Sequence, residues 1–596
     1  MDVKRIFDIA AHAAANYSQD DCLAVKRNGK WDKFSTAQYI ENANYISYAL
    51  LELGFKKDDK IASVSNNRPE WNFLDLGMSQ VGVVHIPIYP TVGRDEYEHI
   101  LSHSSAKILV ISSKERYEMI KPIADKIINI EKVYTFEKIE GVPNFEDLIE
   151  LGKQNAEKYK QKLEEVKASI NENEVCSIIY TSGTTGLSKG VMMTHKNFVS
   201  NVLDTQNIIP KFAKMALSFL PLNHVFERML NYLYQYAGIK IYYAESTDTV
   251  VDNLKDIKPD FFASVPRVLE KVYDKIYGAG MGLTGIKKAI FFWALDLAIH
   301  YDPTKNQGAF YNFKLKIADK LIFVKWRAAL GGNVKFIVSG GAALQPRLSK
   351  VFGAAKIQVM EGYGLTETAP VISVNKYNEV RPGTVGPILD SADVKIADDG
   401  EILFKGPNLM PGYYKDTERT AEVINAEGYF HTGDLGKLEG KILSITGRKK
   451  ELFKLSTGKY VAPQPIENKF KESPFIEQLM VVGDGEKYCA AIIAPVFEYL
   501  HNWASLHHVV FRSNLDLVKN PKVVARIQKE VDRYNKRFDQ HMQIKKFALT
   551  CQEWTPDTGD LSPTLKVKRN FLMQKYQMKI EFLYGRTAEE KFLCDD

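Results

Sequence analysis

The stretch from Ser177 to Asn197 reads SIIYTSGTTGLSKGVMMTHKN. An apolar run leads into glycines at 183, 186 and 190, the hydroxyl residues Thr181, Ser182, Thr184 and Thr185, and a lysine at 189. Glycine takes positive φ without a steric penalty, so such a segment can turn its N–H groups inward around an anion. The spacing is not that of a Walker loop, which needs Gly, four residues, then Gly-Lys-Ser/Thr. Counting from Gly183, Ser188 stands at the second glycine position, and Gly190 replaces the hydroxyl residue that would bind Mg2+. A Walker loop also opens straight into a helix whose N-terminus holds the phosphate. Here Val191-Met192-Met193 reads as a strand, and a helix starts only near Thr194, a good N-cap. The segment is therefore a glycine-rich hairpin between strands. Alone, it is equally well a flexible surface loop.

The chain on both sides alternates between strands and helices. Before the hairpin, KIASVSN (60–66), VVHIPIY (83–89), KILVIS (107–112) and KVYTFE (132–137) read as strands separated by amphipathic helices. After it come ALSFLP (216–221), KIYYAES (240–246), FFASVP (261–266), VKFIVSG (334–340) and IQVMEGYG (357–364), again with helices between. Such alternation argues for parallel sheets covered by helices. Past Gly383, GEILFKG and GKILSITG read as antiparallel strands. Beyond Lys450 a smaller unit follows, with the hairpin QLMVVGDGEKYCAAIIAP. The expected fold is α/β: a large N-terminal domain of two similar doubly wound halves plus a small β-rich subdomain, then a mobile α+β C-terminal domain. The expected boundaries are 1–447, a hinge at 448–450, and 451–596.

The 596 residues are too many for one core, and 45% hydrophobic with 26% charged residues fits a globular protein. A net charge of +6 is small for this length; it fits anionic ligands or a membrane surface, and no nucleic-acid partner is expected. The five cysteines are scattered, which argues against a disulfide framework or zinc site and for a reducing compartment. The N-terminal stretch carries Asp2 and Asp8 and lacks a long apolar core, so no signal peptide is expected. No apolar run reaches transmembrane length. The expected location is cytoplasmic, compatible with peripheral contact at the inner face of a membrane and with a homodimer.

Four further motifs occur in order. LPLNHVFER (220–228) places His224 just past a strand end. EGYGLTETAP (361–370) supplies Tyr363 as a flat face for a base, Thr366 as a hydroxyl for phosphate, and Glu367 as a hard oxygen ligand for Mg2+. GYFHTGDLG (428–436) supplies Asp434, able to accept two hydrogen bonds from a ribose diol. GRKKELFKLSTGKYVAPQPIE (447–467) and LSPTLKVKR (561–569) carry lysines. Singly, each has an ordinary explanation: a solvated glutamate, a turn-capping aspartate, a basic surface run. Together they match one mechanism.

On these motifs, with NNRPEW (66–71) and PIYPT (87–91), the chain resembles the AMP-forming acyl-CoA synthetases of the adenylate-forming superfamily, and among them the long-chain fatty acid–CoA ligases. The resemblance implies ATP, Mg2+ and CoA as co-substrates and cofactors and a fatty acid as substrate. It implies that the hairpin residues Thr181, Ser182, Gly183, Thr184, Thr185, Gly186 and Lys189 bind phosphates. Gly340, Gly341 and Ala342, with Glu361, Gly362, Tyr363 and Gly364, would flank adenine. Asp434 and Arg448 would hold the ribose. Thr366 would bind phosphate, Glu367 the metal, and His224 would lie near the reacting carboxylate. Lys566 would stabilise the pentacoordinate phosphorus, and Lys450 would be the hinge. The family's terminal lysine motif usually reads Gly-Lys, whereas Leu565 precedes Lys566 here, as in many long-chain members.

Amino-acid-activating relatives place an Asp in the LPLNHVFER region, and its absence here favours an uncharged acyl tail. The region 265–332 holds a long helical insertion with Phe291, Phe292, Trp293 and Trp326 among lysines 314, 316, 320 and 325, which suits either a membrane surface or a cover on the core. Two other readings stand beside the ligase: a fatty acyl-AMP ligase serving a carrier protein, and a non-catalytic acyl-nucleotide-binding protein.

Overall fold

The structure is a computed structural model that describes residues 2–181, 188–246, 248–555, 558–562 and 567–587. Two large sheets form the N-terminal part. The first orders its strands Lys132–Thr135, Ile108–Ile111, Lys60–Val64, Val84–Ile88, Val175–Thr181 and Lys189–Thr194, parallel except for the last pair. Strands such as Ile108–Ile111 are apolar and wholly buried, as expected where helices cover both faces. The antiparallel last pair brings Thr181 opposite Lys189, so the strand–turn–strand reading of the hairpin holds for its flanks. Its tip, with Ser182, Gly183, Thr184, Thr185 and Gly186, lies outside the described residues. Thr194 caps the next helix, His195–Thr205, by accepting from the Asn197 N–H at 3.1 Å.

The second sheet runs Val371–Val374, Gln358–Gly364, Phe336–Ser339, Phe261–Ser264, Met215–Ser218, Lys240–Tyr243, Leu23–Arg27 and Lys30–Phe34. Its five central pairings are parallel. The N-terminal hairpin Leu23–Phe34 closes one edge, a long-range pairing for which the local sequence carries no signal. A third, antiparallel sheet joins Gly386–Pro387, Ile442–Arg448, Phe430–Glu439, Glu401–Lys405 and Asp393–Ile396. The C-terminal region builds a small sheet from Ile476–Val482, Cys489–Pro495 and Ile544–Leu549 with its own apolar cluster. Fold class and the hairpin's two flanking strands thus match expectation.

The insertion after residue 265 folds as helices Pro266–Met281, Gly285–His300 and Ala309–Ala318, a π-helical turn Asp319–Phe323, and Val324–Ala329. Among the described residues no helix is long and apolar enough to cross a membrane. Cys22, Cys176 and Cys489 are free thiols, whereas Cys551 is disulfide-bonded, a departure from the expectation of scattered thiols.

Candidate active site

The C-terminal ends of the second sheet's strands open onto a cleft of about 1380 Å³. Gly341 and Ala342 follow the strand Phe336–Ser339, and Glu361, Gly362, Tyr363 and Gly364 end the neighbouring strand; all of them line the cleft. Ligands in open α/β sheets bind at these strand ends. Gly341 sits at φ +81°, which favours glycine. A Cβ on Gly364 would lie 1.7 Å from the Pro370 carbonyl oxygen, so no side chain fits there. Gly340 does not line the cleft; it lies against the Phe226 ring.

The third sheet contributes Asp434 and Arg448, which face each other across two antiparallel strands. Arg448 Nε lies 3.2 Å from Asp434 Oδ1, and the Tyr363 hydroxyl donates to Oδ2 at 2.8 Å. Burial and the Asp434 carboxylate both push Tyr363 well above its usual value, so it stays a donor. Burial opposes the charge of Arg448 most strongly, but Asp434 together with Glu451, Tyr363 and Glu367 outweighs it and raises its pKa. The result is a buried carboxylate held rigid from two sides at the cleft wall. Nearby, Glu361 Oε1 accepts from the Leu344 N–H at 2.8 Å, and burial pushes its carboxyl up to about 8.

A second group gathers beside the glycine hairpin. Lys189 Nζ lies 2.8 Å from Glu367 Oε1 and also donates to the Tyr413 hydroxyl, which itself donates to Glu367 Oε1 at 2.8 Å. Thr366 opens the 3-10 turn that carries Glu367. Tyr413 was not anticipated. It arrives because the segment after Pro411 lies along the hairpin strand: the Met192 N–H donates to the Gly412 carbonyl and the Tyr414 N–H to that of Gly190. The charge of Glu367 reaches Arg448, so the two groups are neighbours. Lys189 therefore pairs with the candidate metal ligand in this structure. Among the described residues nothing hydrogen-bonds the buried Thr181 Oγ1.

His224 is the N-cap of the helix Val225–Tyr236, its Nδ1 accepting from the Phe226 N–H at 3.1 Å. Its position is set by residues from three motifs. Asn67 donates to the Leu220 carbonyl at 2.7 Å and accepts from the Leu222 N–H at 2.9 Å. Asn223 donates to the carbonyls of Ser65 and Ile88. Arg228, wholly buried, bonds Asp75, Ser177 and Tyr232, and His85 bonds the same Asp75. This lattice ties the first sheet to the helix that presents His224. Burial opposes the Asp75 charge most strongly, but Arg228, His85 and Tyr232 together outweigh it and hold the carboxyl below its usual range.

One helix position after Phe226, Glu227 is buried and accepts from Ser218, and among the described residues its Oε2 has no hydrogen-bond partner. Burial pushes its carboxyl from 4.5 up to about 8. The folded chain then keeps a proton that the unfolded chain releases, so this group's contribution to stability is greatest below 4.5 and falls until about 8. The fall is about 1.4 kcal/mol per pH unit for one proton. Glu227→Gln is expected to flatten that part of the decline; melting temperatures across this window, against the wild type, check it.

Lys566 lies outside the described residues. Of the described residues on either side, Val567 bridges to Leu561, and Lys568 N donates to the Asp560 carbonyl. The Lys568 charge acts on Glu96, the partner of Ser188 at the end of the glycine hairpin. Contacts also join the C-terminal unit to the cleft wall. Arg267 pairs with Glu477, Lys471 with Glu270 at 3.4 Å, and Arg347 donates to the Glu472 carbonyl at 2.8 Å. Lys450 sits in a 3-10 turn, Lys449–Glu451, between the strands Ile442–Arg448 and Phe453–Lys454. Among the described residues no group of three or more His, Cys, Asp or Glu side chains is gathered to hold a metal.

The AMP-binding enzyme family model matches residues 10–414, and the AMP-binding enzyme C-terminal domain model matches 450–588. A Mycobacterium bovis protein named long-chain-fatty-acid–CoA ligase FadD15 is 32% identical over 573 residues, covering 94% of this chain and 93% of its own. Human long-chain-fatty-acid–CoA ligase 1 is 31% identical over 605 residues, covering 95% and 84%. The A domain of carboxylic acid reductase from Segniliparus rugosus, solved with AMP and a co-purified carboxylic acid, has a TM-score of 0.73 at 19% identity, covering 98% of this chain and 94% of its own; that likeness concerns the fold. The chain belongs to the AMP-binding enzyme family and is an adenylate-forming acyl-CoA synthetase.

Proposed function

We propose that this protein activates a long-chain fatty acid with ATP and transfers the acyl group to CoA. The observation that carries the reading is Asp434, buried and clamped by Tyr363 and Arg448 at the wall of the strand-end cleft. A carboxylate oxygen keeps lone pairs beyond the bonds it already accepts, so Asp434 can take both hydroxyls of a ribose. Tyr363 and the backbone at Gly341 and Ala342 then flank the base, with the Glu361 carboxyl reaching its edge.

In the first half-reaction a fatty-acid carboxylate oxygen attacks the α-phosphorus of ATP. The new O–P bond forms as the bond to the β-phosphate's bridging oxygen breaks, and pyrophosphate leaves. In the second, the CoA sulfur, having lost its proton, attacks the acyl carbon, and the C–O bond to AMP breaks. His224, presented at the start of its helix, would orient the reacting carboxylate. Thr181, the hairpin glycines, Lys189 and Thr366 bind phosphate oxygens, with Lys189 leaving Glu367 as the anion arrives. Glu367 fits a Mg2+ ion: Oε1 carries both of its hydrogen bonds, and among the described residues nothing bonds Oε2. Glu367 would hold the ion, which would supply positive charge to offset that of the departing pyrophosphate. Lys566 stabilises the pentacoordinate phosphorus. Lys450 serves as the hinge about which the C-terminal domain turns between the halves.

The absence of an Asp from LPLNHVFER and the apolar side of the cleft at Phe292, Leu295 and Ile299 support a long hydrocarbon tail. Each buried methylene contributes about 0.8 kcal/mol, so kcat/KM is expected to rise roughly four-fold per carbon until the acyl site is filled. A panel of carboxylic acids from acetate to stearate, assayed for AMP formation, checks this. Acetate or an aromatic acid outperforming palmitate would overturn the substrate class and leave the reaction standing.

A further inference from the structure

We propose that the helical face from Phe310 to Val324 docks onto an anionic lipid bilayer. Phe310 is 71% and Phe313 60% exposed, and Ile317, Leu321 and Val324 are exposed as well. Their spacing of three or four residues lays them along one line of the helix Ala309–Ala318 and its π-helical continuation. Single exposed apolar side chains are ordinary, but a continuous stripe marks an interaction surface. The stripe is not needed to hold these helices in place. Ala318, Phe323 and Trp326, on the other side, are buried with Phe291 and Leu295 in one apolar cluster.

Charge selects the occupant. From Lys305 to Leu330 the single acidic residue is Asp319, and its carboxylate is already taken by Arg327 at 2.5 Å and Lys356 at 2.6 Å. Lys316, Lys320 and Lys325 flank the stripe, exposed and without an ion pair among the described residues. Lys314 lies over the Phe310 ring at 4.2 Å. A second copy of the chain would bring the same cations against these, which disfavours a self-association through this face. Lipid phosphates complement them, while the apolar stripe enters the boundary between headgroups and acyl chains and the lysine stems extend to the charged surface.

The consequence for catalysis rests on the acyl-CoA synthetase reading. The helix beneath this face, Gly285–His300, accepts a bond from the Tyr311 hydroxyl at the Leu297 carbonyl and contributes Phe292, Leu295 and Ile299 to the cleft. A docked enzyme would thus stand with the apolar side of its cleft next to the phase in which long-chain acids dissolve.

The test is co-sedimentation of the full chain with phosphatidylcholine vesicles containing phosphatidylglycerol, against vesicles of phosphatidylcholine alone. The expected result is sedimentation with the anionic vesicles only, weakening as salt is raised. Lys316→Gln/Lys320→Gln/Lys325→Gln is expected to lower partitioning on the order of 100-fold. Phe310→Ser/Phe313→Ser removes the salt-resistant part of the binding. All five positions are exposed, and the lysine variant keeps the test open if the phenylalanine variant fails to fold. Pyrophosphate release with palmitate delivered in a non-ionic detergent, without vesicles, is expected to be the same in wild type and variants. Its absence in the wild type would sink the enzymatic reading without touching the docking result. Wild-type protein left in the supernatant with anionic vesicles, or a lysine variant that binds as the wild type does, overturns the docking. So does a lipid-independent dimer that Phe310→Ser/Phe313→Ser dissolves.

Discussion

Lys566→Ala is expected to slow acid-dependent pyrophosphate release by about a hundred- to a thousand-fold, the usual effect of removing one group that stabilises developing charge. Conversion of supplied acyl-AMP and CoA to acyl-CoA should stay close to wild type. The asymmetry follows from the chemistry. In the first half-reaction a carboxylate approaches a triphosphate, and two unit charges about 4 Å apart repel by roughly 4 kcal/mol at an effective dielectric near 20. A cation is needed there, and the second half-reaction, a thiol attack on an acyl carbon, has no such repulsion. The described residues that follow Lys566 are held in place: Arg569 donates to the Val481 carbonyl at 2.8 Å and pairs with Glu467, while the Lys568 charge acts on Glu96, the partner of Ser188. Rates of the two half-reactions, measured separately, decide the matter. An equal loss in both, with an unchanged melting temperature, would contradict the role given to Lys566.

Lys450→Pro is expected to divide the half-reactions the other way. Pyrophosphate release in a single turnover should survive, while acyl-CoA formation drops at least roughly ten-fold. One site has to perform two reactions, and the second needs the pyrophosphate side cleared and a thiol admitted. Rotation about the turn Lys449–Glu451 would accomplish that by changing φ and ψ, and proline fixes φ near −65°, a value a 3-10 turn accepts. The arrangement it would freeze is the one held by Arg267 with Glu477, Lys471 with Glu270, and Arg347 on the Glu472 carbonyl. Lys450→Ala keeps φ free and should behave as wild type. A parallel loss of both halves in Lys450→Pro would remove the hinge.

The parts of this molecule that were legible in the sequence are those governed by local physics. Alternating apolar strands and amphipathic helices announced two parallel sheets, and Thr194 marked its helix start through an N-cap bond that its own side chain makes. Motif order announced the site. The structure brings Gly341, Ala342, Glu361, Tyr363, Asp434 and Arg448 to one cleft. What was not legible depends on distant pairing. The hairpin Leu23–Phe34 joins the second sheet through Lys240–Tyr243, more than two hundred residues on, and nothing near residue 23 encodes that partner. Tyr413 reaches Glu367 only because its segment lies along a strand of the hairpin. Asn67 was visible as part of NNRPEW, but its work, holding Leu220 and Leu222 so that His224 is presented, required the fold.

The product balance with palmitate, ATP and Mg2+, taken with and without CoA, decides whether both half-reactions take place on this chain. The account predicts that, with CoA, AMP, pyrophosphate and palmitoyl-CoA accumulate in equal amounts, and that without CoA a single equivalent of pyrophosphate is released as palmitoyl-AMP stays bound. ADP and phosphate as products, no palmitate-dependent turnover, or palmitoyl-AMP that CoA never consumes would contradict it.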